Sequence, residues 1–195
     1  FPSWTFNAVL YVEKEGFNPK LQQVRLAERY DLAILSGKGF STRAGKRLLA
    51  KLADGGCKLA VVHDCDLAGY EIARTLQAEA RGCRALEVVD LGLTWEDAQG
   101  QGLQSETYTL ARKPPAAFVQ RARRGEVSEE AFRWLTGRHL EHESFWSAKK
   151  VTAQRFELNA FALADFVTWL EARLQEHGFA EKVVPPPDVV ATRAR

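Results

Sequence analysis

Apolar residues along the first half of the chain fall in short runs separated by polar, helix-forming stretches. Asn7 to Val12 is a nearly continuous run rich in strand formers, and it stops at Glu13-Lys14-Glu15-Gly16. A strand without a polar face is one covered on both sides, as in a parallel sheet. Asn18-Pro19 opens a helical stretch over 20–30, with Leu21, Val24, Leu26 and Ala27 apolar, and residues 31–36 read as a second strand. Gly37-Lys38-Gly39 forms a tight turn, and Ser41 or Thr42 caps a helix that Asp54-Gly55-Gly56 stops. Residues 58–63 give a third strand, ending in Asp64-Cys65-Asp66. A helix follows over 67–80, then a fourth strand over 85–91.

Strands that alternate with helices through short connections predict an α/β fold. Its sheet has four parallel strands, is flanked by helices and is joined by right-handed crossovers. Residues 92–114, with Gly92, Gly100, Gly102 and Pro114-Pro115, read as irregular. Three helical patterns come next, near 115–124, 128–140 and 158–177; in the last, Phe161, Phe166, Trp169, Leu170 and Leu174 share one broad face. The expected organisation is an α/β core over 1–105 and a helical extension over 106–195.

With 46% apolar and 27% charged residues, the composition excludes a disordered chain or a disulfide scaffold. No apolar run approaches the roughly 18 residues of a membrane span. The net charge of +2 is unremarkable, but residues 111–155 hold 10 Lys and Arg against 5 Asp and Glu. Such a segment suits phosphate contact or a solvated helix surface. Three cysteines, Cys57, Cys65 and Cys83, without a CxxC pair fit a reducing compartment, so a cytoplasmic location is expected. His139 and His142 can share a helical face, but no Cys or third His lies nearby in sequence to complete a zinc site. The start at Phe1 reads as that of an excised fragment.

Active sites of open α/β sheets lie beyond the carboxyl ends of the strands. Glu13 follows the first strand and Asp64 and Asp66 the third, so all three are expected at one sheet edge. Clustered carboxylates repel, and a hard divalent cation with oxygen ligands resolves the repulsion. Asp66, just before a helix, equally suits an N-cap. Lys38 on its glycine turn offers backbone amides and a cation to a phosphate. Lys46, near a helix N-terminus, opposes the helix dipole unless an anion is present.

A strand ending in Glu, followed by Asp-x-Asp after a later strand, resembles the Toprim domain of topoisomerases, primases and several nucleases. The nearest resemblance is to the A subunit of topoisomerase VI and its meiotic double-strand-break relatives. It is carried by Val9-Leu10-Tyr11-Val12-Glu13-Lys14-Glu15, Ser36-Gly37-Lys38-Gly39-Phe40 and Asp64-Cys65-Asp66-Leu67-Ala68-Gly69. Leu91-Gly92-Leu93-Thr94-Trp95-Glu96-Asp97 and Phe156-Glu157-Leu158-Asn159-Ala160-Phe161 follow in the family's order. Leu67 stands where topoisomerase VI has Pro, and no tyrosine of this chain matches the DNA-cleaving one, which belongs to a separate winged-helix domain.

The resemblance implies a Toprim fold, with Glu13, Asp64 and Asp66 holding Mg²⁺, or Mn²⁺ as a substitute, and Glu13 also moving protons. Lys38 and Lys46 would contact DNA phosphates. The implied activity is DNA strand cleavage by transesterification, with a homodimer or an ATPase partner in the full-length protein. A stand-alone metal-dependent nuclease of the defence type, or a DNA- or partner-binding module without catalysis, are the alternatives.

Overall fold

The computed structural model describes residues 6–36, 43–78, 84–146 and 150–180. Four strands, β1 (Ala8–Val12), β2 (Leu32–Ser36), β3 (Lys58–Val62) and β4 (Val88–Asp90), form one sheet in the order β2-β1-β3-β4. Every pairing is parallel, as the alternating pattern predicts.

Central β1 is buried throughout, and its residues divide by the two-residue period of a strand. Ala8, Leu10 and Val12 enter one apolar cluster with Phe17, Leu21, Phe166 and Leu170. Val9 and Tyr11 enter the opposite one with Leu49, Leu52, Ala73 and Leu76. The first face is covered by α1 (Phe17–Gln23), α2 (Leu26–Tyr30) and α8 (Leu163–Glu176), and the second by α3 (Arg43–Asp54) and α4 (Leu67–Gln77).

The structure departs from the sequence pattern in three places. The stretch expected as one helix over 20–30 is two, because Arg25 adopts a left-handed backbone conformation (φ 53°) between them. The fourth strand is short, Val88–Asp90 rather than 85–91. The expected irregular and helical region contains an antiparallel pair, β5 (Glu106–Leu110) with β6 (Val151–Arg155), in register Glu106↔Arg155 to Leu110↔Val151. Between them lie α6 (Ala116–Arg123) and α7 (Glu129–Thr136), while α5 (Trp95–Gly100) precedes them.

Gly137 ends α7 in a left-handed turn (φ 63°), and a Cβ there would lie 2.1 Å from the Thr152 carbonyl. Only glycine lets β6 pass so close. The expected boundary at 105 does not divide the packing, since Phe118, Phe132, Phe156 and Phe166 share the cluster of Leu10 and Val12. Trp146 stacks on Phe132 (ring centroids 5.6 Å apart) and Trp134 on Phe156 (5.8 Å), so both indoles pack the second half of the molecule. Among the described residues no helix is long and apolar enough to cross a membrane.

Candidate metal and phosphate site

Parallel registration brings Glu13 to the loop that carries Asp64 and Asp66. Val12 pairs with Val62, and the Glu13 amide continues the ladder by donating to the Val62 carbonyl (2.9 Å). Glu13 therefore stands beside the chain as it leaves β3. The loop after β3 is fastened from the other side by a bridge between Cys65 and Phe156. Cys65 N–H donates to Phe156 O (2.8 Å), and Phe156 N–H returns to Cys65 O (3.1 Å).

Each of the three carboxylates is held through one oxygen by a backbone N–H. Glu13 Oε2 accepts from Asp64 N (3.2 Å), Asp64 Oδ1 from Leu158 N (2.7 Å) and Asp66 Oδ1 from Gly69 N (2.7 Å). The last bond makes Asp66 the N-cap of α4, so the cap role and a ligand role coexist in one side chain. The other oxygen of each acid makes no hydrogen bond among the described residues, although Asp64 Oδ2 lies 3.7 Å from Lys14 Nζ.

The electrostatics match this crowding. Desolvation raises the Glu13 carboxyl from 4.5 to about 7, helped by repulsion from Asp66 and Asp64. Burial also raises Asp64, against the Leu158 N–H and Lys14. Glu13 and Asp64 thus resist ionisation, and the spare oxygens of the three acids make an all-oxygen donor set of the kind that suits a hard divalent cation. The ligand atoms of Glu13, Asp64 and Asp66 do not all lie within 4.8 Å of one another, so the three acids border one edge without forming a closed ligand set. Among the described residues, the trio whose ligand atoms all lie within 4.8 Å of one another is instead Glu129, His139 and Glu141, all exposed. There the structure supplies, from α7, the third donor that sequence proximity around His139 did not show.

A buried support lies beneath the acids. His63 is 1% exposed; its Nε2 is 3.0 Å from Asp90 Oδ1 and its Nδ1 is 2.7 Å from the Asp64 carbonyl. Burial opposes its charge, but the Asp90 hydrogen bond and negative charge prevail and raise its pKa, while Asp90 is lowered mainly by His63 against its own burial. Gly69 packs onto this pair: a Cβ would lie 2.1 Å from Asp64 O and 2.5 Å from His63 Nδ1.

Two residues beside the acids were not singled out from the sequence. Lys14 Nζ bonds Glu157 Oε2 and Asn159 Oδ1 (3.1 Å), tying the end of β1 to the segment after β6. Lys14 is the chief cause of the lowered Glu157 pKa. The Glu-Lys pair after the first strand and the Glu-Leu-Asn-Ala segment were the available signals.

The two expected DNA-contacting lysines fare differently. Lys38 lies outside the described residues. Lys46 is 8% exposed, and its ammonium donates to the carbonyls of Thr75 (3.0 Å) and Ala78 at the end of α4. At 1.5 Å per residue those carbonyls are about 14–18 Å along the helix from Asp66. The positive charge of Lys46 thus complements a helix C-terminus, and the expected phosphate contact is not where the structure puts this side chain. Arg121 and Arg124, part of the basic segment, pair with Glu126 (3.4 and 2.8 Å).

The family model for the Toprim domain of Spo11 and of the A subunit of topoisomerase 6 matches residues 8–168. No curated protein matches the chain.

Proposed function

Because the chain belongs to the Toprim family shared by Spo11 and the A subunit of topoisomerase VI, we propose that the carboxyl edge of its sheet binds Mg²⁺ and a DNA phosphodiester for strand cleavage. Metal-dependent DNA processing is the family's general property. The observation that carries the specific reading is the set of three acids, each pinned through one oxygen by a backbone N–H and leaving the other available. Glu13, Asp64 and Asp66 would hold the ion. A divalent cation bound there neutralises the phosphodiester and its leaving oxygen.

The chain's own residues supply orientation and a proton site. The Leu158 and Gly69 amides fix the Asp64 and Asp66 carboxylates, so neither has to be ordered when a ligand arrives. Glu13, raised to about 7 in the metal-free chain, would give up a proton near neutrality as the cation binds and take one when it leaves. Tyr108 lines the adjoining cleft, but its hydroxyl donates to the Leu135 carbonyl (2.6 Å) and burial raises it to about 12. Tyr11, Tyr30 and Tyr70 are buried, so cleavage by transesterification would take its tyrosine from another domain, whereas metal-dependent hydrolysis would need none. A homodimer or an ATPase partner in the full-length protein fits the same reading.

The test is fluorescence anisotropy with a labelled DNA duplex at low salt and fixed ionic strength. Mg²⁺ should strengthen binding by the wild type, because it removes the repulsion between acids and phosphate. Asp64→Asn with Asp66→Asn should abolish that dependence. Binding that ignores Mg²⁺ in both proteins would contradict the reading.

A further inference from the structure

Beside Asp66, the first turns of α4 form one wall of a cleft of about 320 Å³. The facing wall is the β5–β6 pair and the segment that leads from β5 into α6. The walls differ in charge: Asp66 and Glu71 line the first, Arg112, Lys113 and Arg155 the second, with Tyr108 between them in composition. Arg155 is largely neutralised, since its terminal nitrogen lies 3.0 Å from Glu106 and 2.7 Å from Glu157. Arg112 and Lys113 are exposed and form no hydrogen bond or ion pair among the described residues.

The chain just after them is restricted, and Pro114 also confines Lys113 to extended conformations. Pro114 and Pro115 follow directly, with Pro115 at the start of α6, and the two rings fix φ. Lys113 is thus presented at the cleft with less main-chain entropy to lose on binding, and Arg112 precedes it directly. Two polar atoms of the lining are buried without a partner among the described residues, Oε1 of Glu71 and Nε of Arg155. One is an acceptor on the acidic wall and one a donor on the basic wall.

Resting on the metal- and DNA-binding reading above, we infer that the backbone of a DNA strand runs through this cleft, with Arg112 and Lys113 as its phosphate contacts. A phosphodiester seated here has Asp66, one of the three proposed cation-binding acids, on one side and two exposed side-chain cations on the other. That arrangement turns a mixed cleft into one that attracts a polyanion only when metal is bound. The guanidinium grips a phosphate through two N–H groups and the ammonium acts as a point charge. Contacts of this kind fix register and carry no sequence information.

Arg112→Ala with Lys113→Ala tests the inference. The probes are a fluorescein-labelled duplex and a single strand of the same length, at fixed Mg²⁺ and varied salt. Both substitutions are at exposed positions, and thermal unfolding checks the fold. Affinity should fall at least about tenfold for unrelated sequences, and the log-log salt slope should shrink by about two. The Mn²⁺-induced thermal shift should stay as in the wild type. An equal-charge control, Arg25→Ala with Lys51→Ala, should change affinity by no more than about twofold, through long-range charge alone. An unchanged affinity and slope in Arg112→Ala/Lys113→Ala, with Mg²⁺ dependence still lost in Asp64→Asn/Asp66→Asn, would overturn the cleft assignment and leave the metal reading standing. A wild-type chain that binds neither probe would overturn both.

Discussion

Replacing Glu13 by Gln should make the metal-free protein more stable at neutral pH and less responsive to metal. Gln keeps an oxygen for the Asp64 N–H that Glu13 accepts at 3.2 Å, and it removes the charge. The Glu13 carboxyl is raised to about 7 in the fold, above its ordinary 4.5. Its ionisation therefore costs the native state nothing below about pH 4.5, and the cost grows as pH rises towards 7. A shift of that size corresponds to about 3 kcal/mol. Water screens part of it at a half-buried carboxylate, which leaves about 1–2 kcal/mol. For a chain of this size that is a rise of about 3–6 °C in Tm.

The assay is thermal unfolding of both proteins in EDTA between pH 4.5 and 8, repeated in Mg²⁺. In EDTA the two should coincide at the acid end, with the variant gaining towards pH 8. In Mg²⁺ at 100 times the dissociation constant, the wild type should recover about 2.7 kcal/mol, closing or reversing the gap. A constant gap across pH, or one indifferent to Mg²⁺, would refute the claim that Glu13 is a desolvated acid facing a cation.

Gly69→Ala places a methyl 2.1 Å from the Asp64 carbonyl and against His63, so it should lower stability by about 2–4 kcal/mol through overpacking and displaced backbone, read as a lower urea midpoint. Lys46→Met removes two charge-assisted bonds to the end of α4; it should cost about 2–4 kcal/mol while leaving the DNA affinity of the folded protein unchanged. Phe156→Ala empties a fully buried position that also holds the Cys65 bridge and stacks on Trp134, with an expected loss of about 3–5 kcal/mol and weaker Mn²⁺ binding in calorimetry.

The sheet was legible because its strands are short, apolar and separated by helical periods, and because the glycine and asparagine-proline punctuation falls between them. The convergence of Glu13 and Asp64 followed from topology, since adjacent parallel strands in register end together. What stayed hidden depends on partners distant in sequence. Glu106–Leu110 alternates polar and apolar residues too weakly to read as a strand, and its partner Val151–Arg155 lies beyond two helices. Lys46 looked like a helix-start cation awaiting an anion, because the sequence does not reveal that the end of α4 presents carbonyls to it. Arg112 and Lys113 were visible only as part of a basic segment; the pairing of β5 with the distant β6 places them in one cleft with Asp66. The Glu157–Lys14 link joins residues 143 positions apart, a distance no local pattern reports.

The most direct test of the central claim is anomalous X-ray diffraction from crystals of the chain soaked in Mn²⁺. A peak coordinated by Glu13, Asp64 and Asp66 at the carboxyl edge of the sheet, absent from the Asp64→Asn/Asp66→Asn protein, is the predicted result. A peak at Glu129, His139 and Glu141 with none at the sheet edge would contradict it.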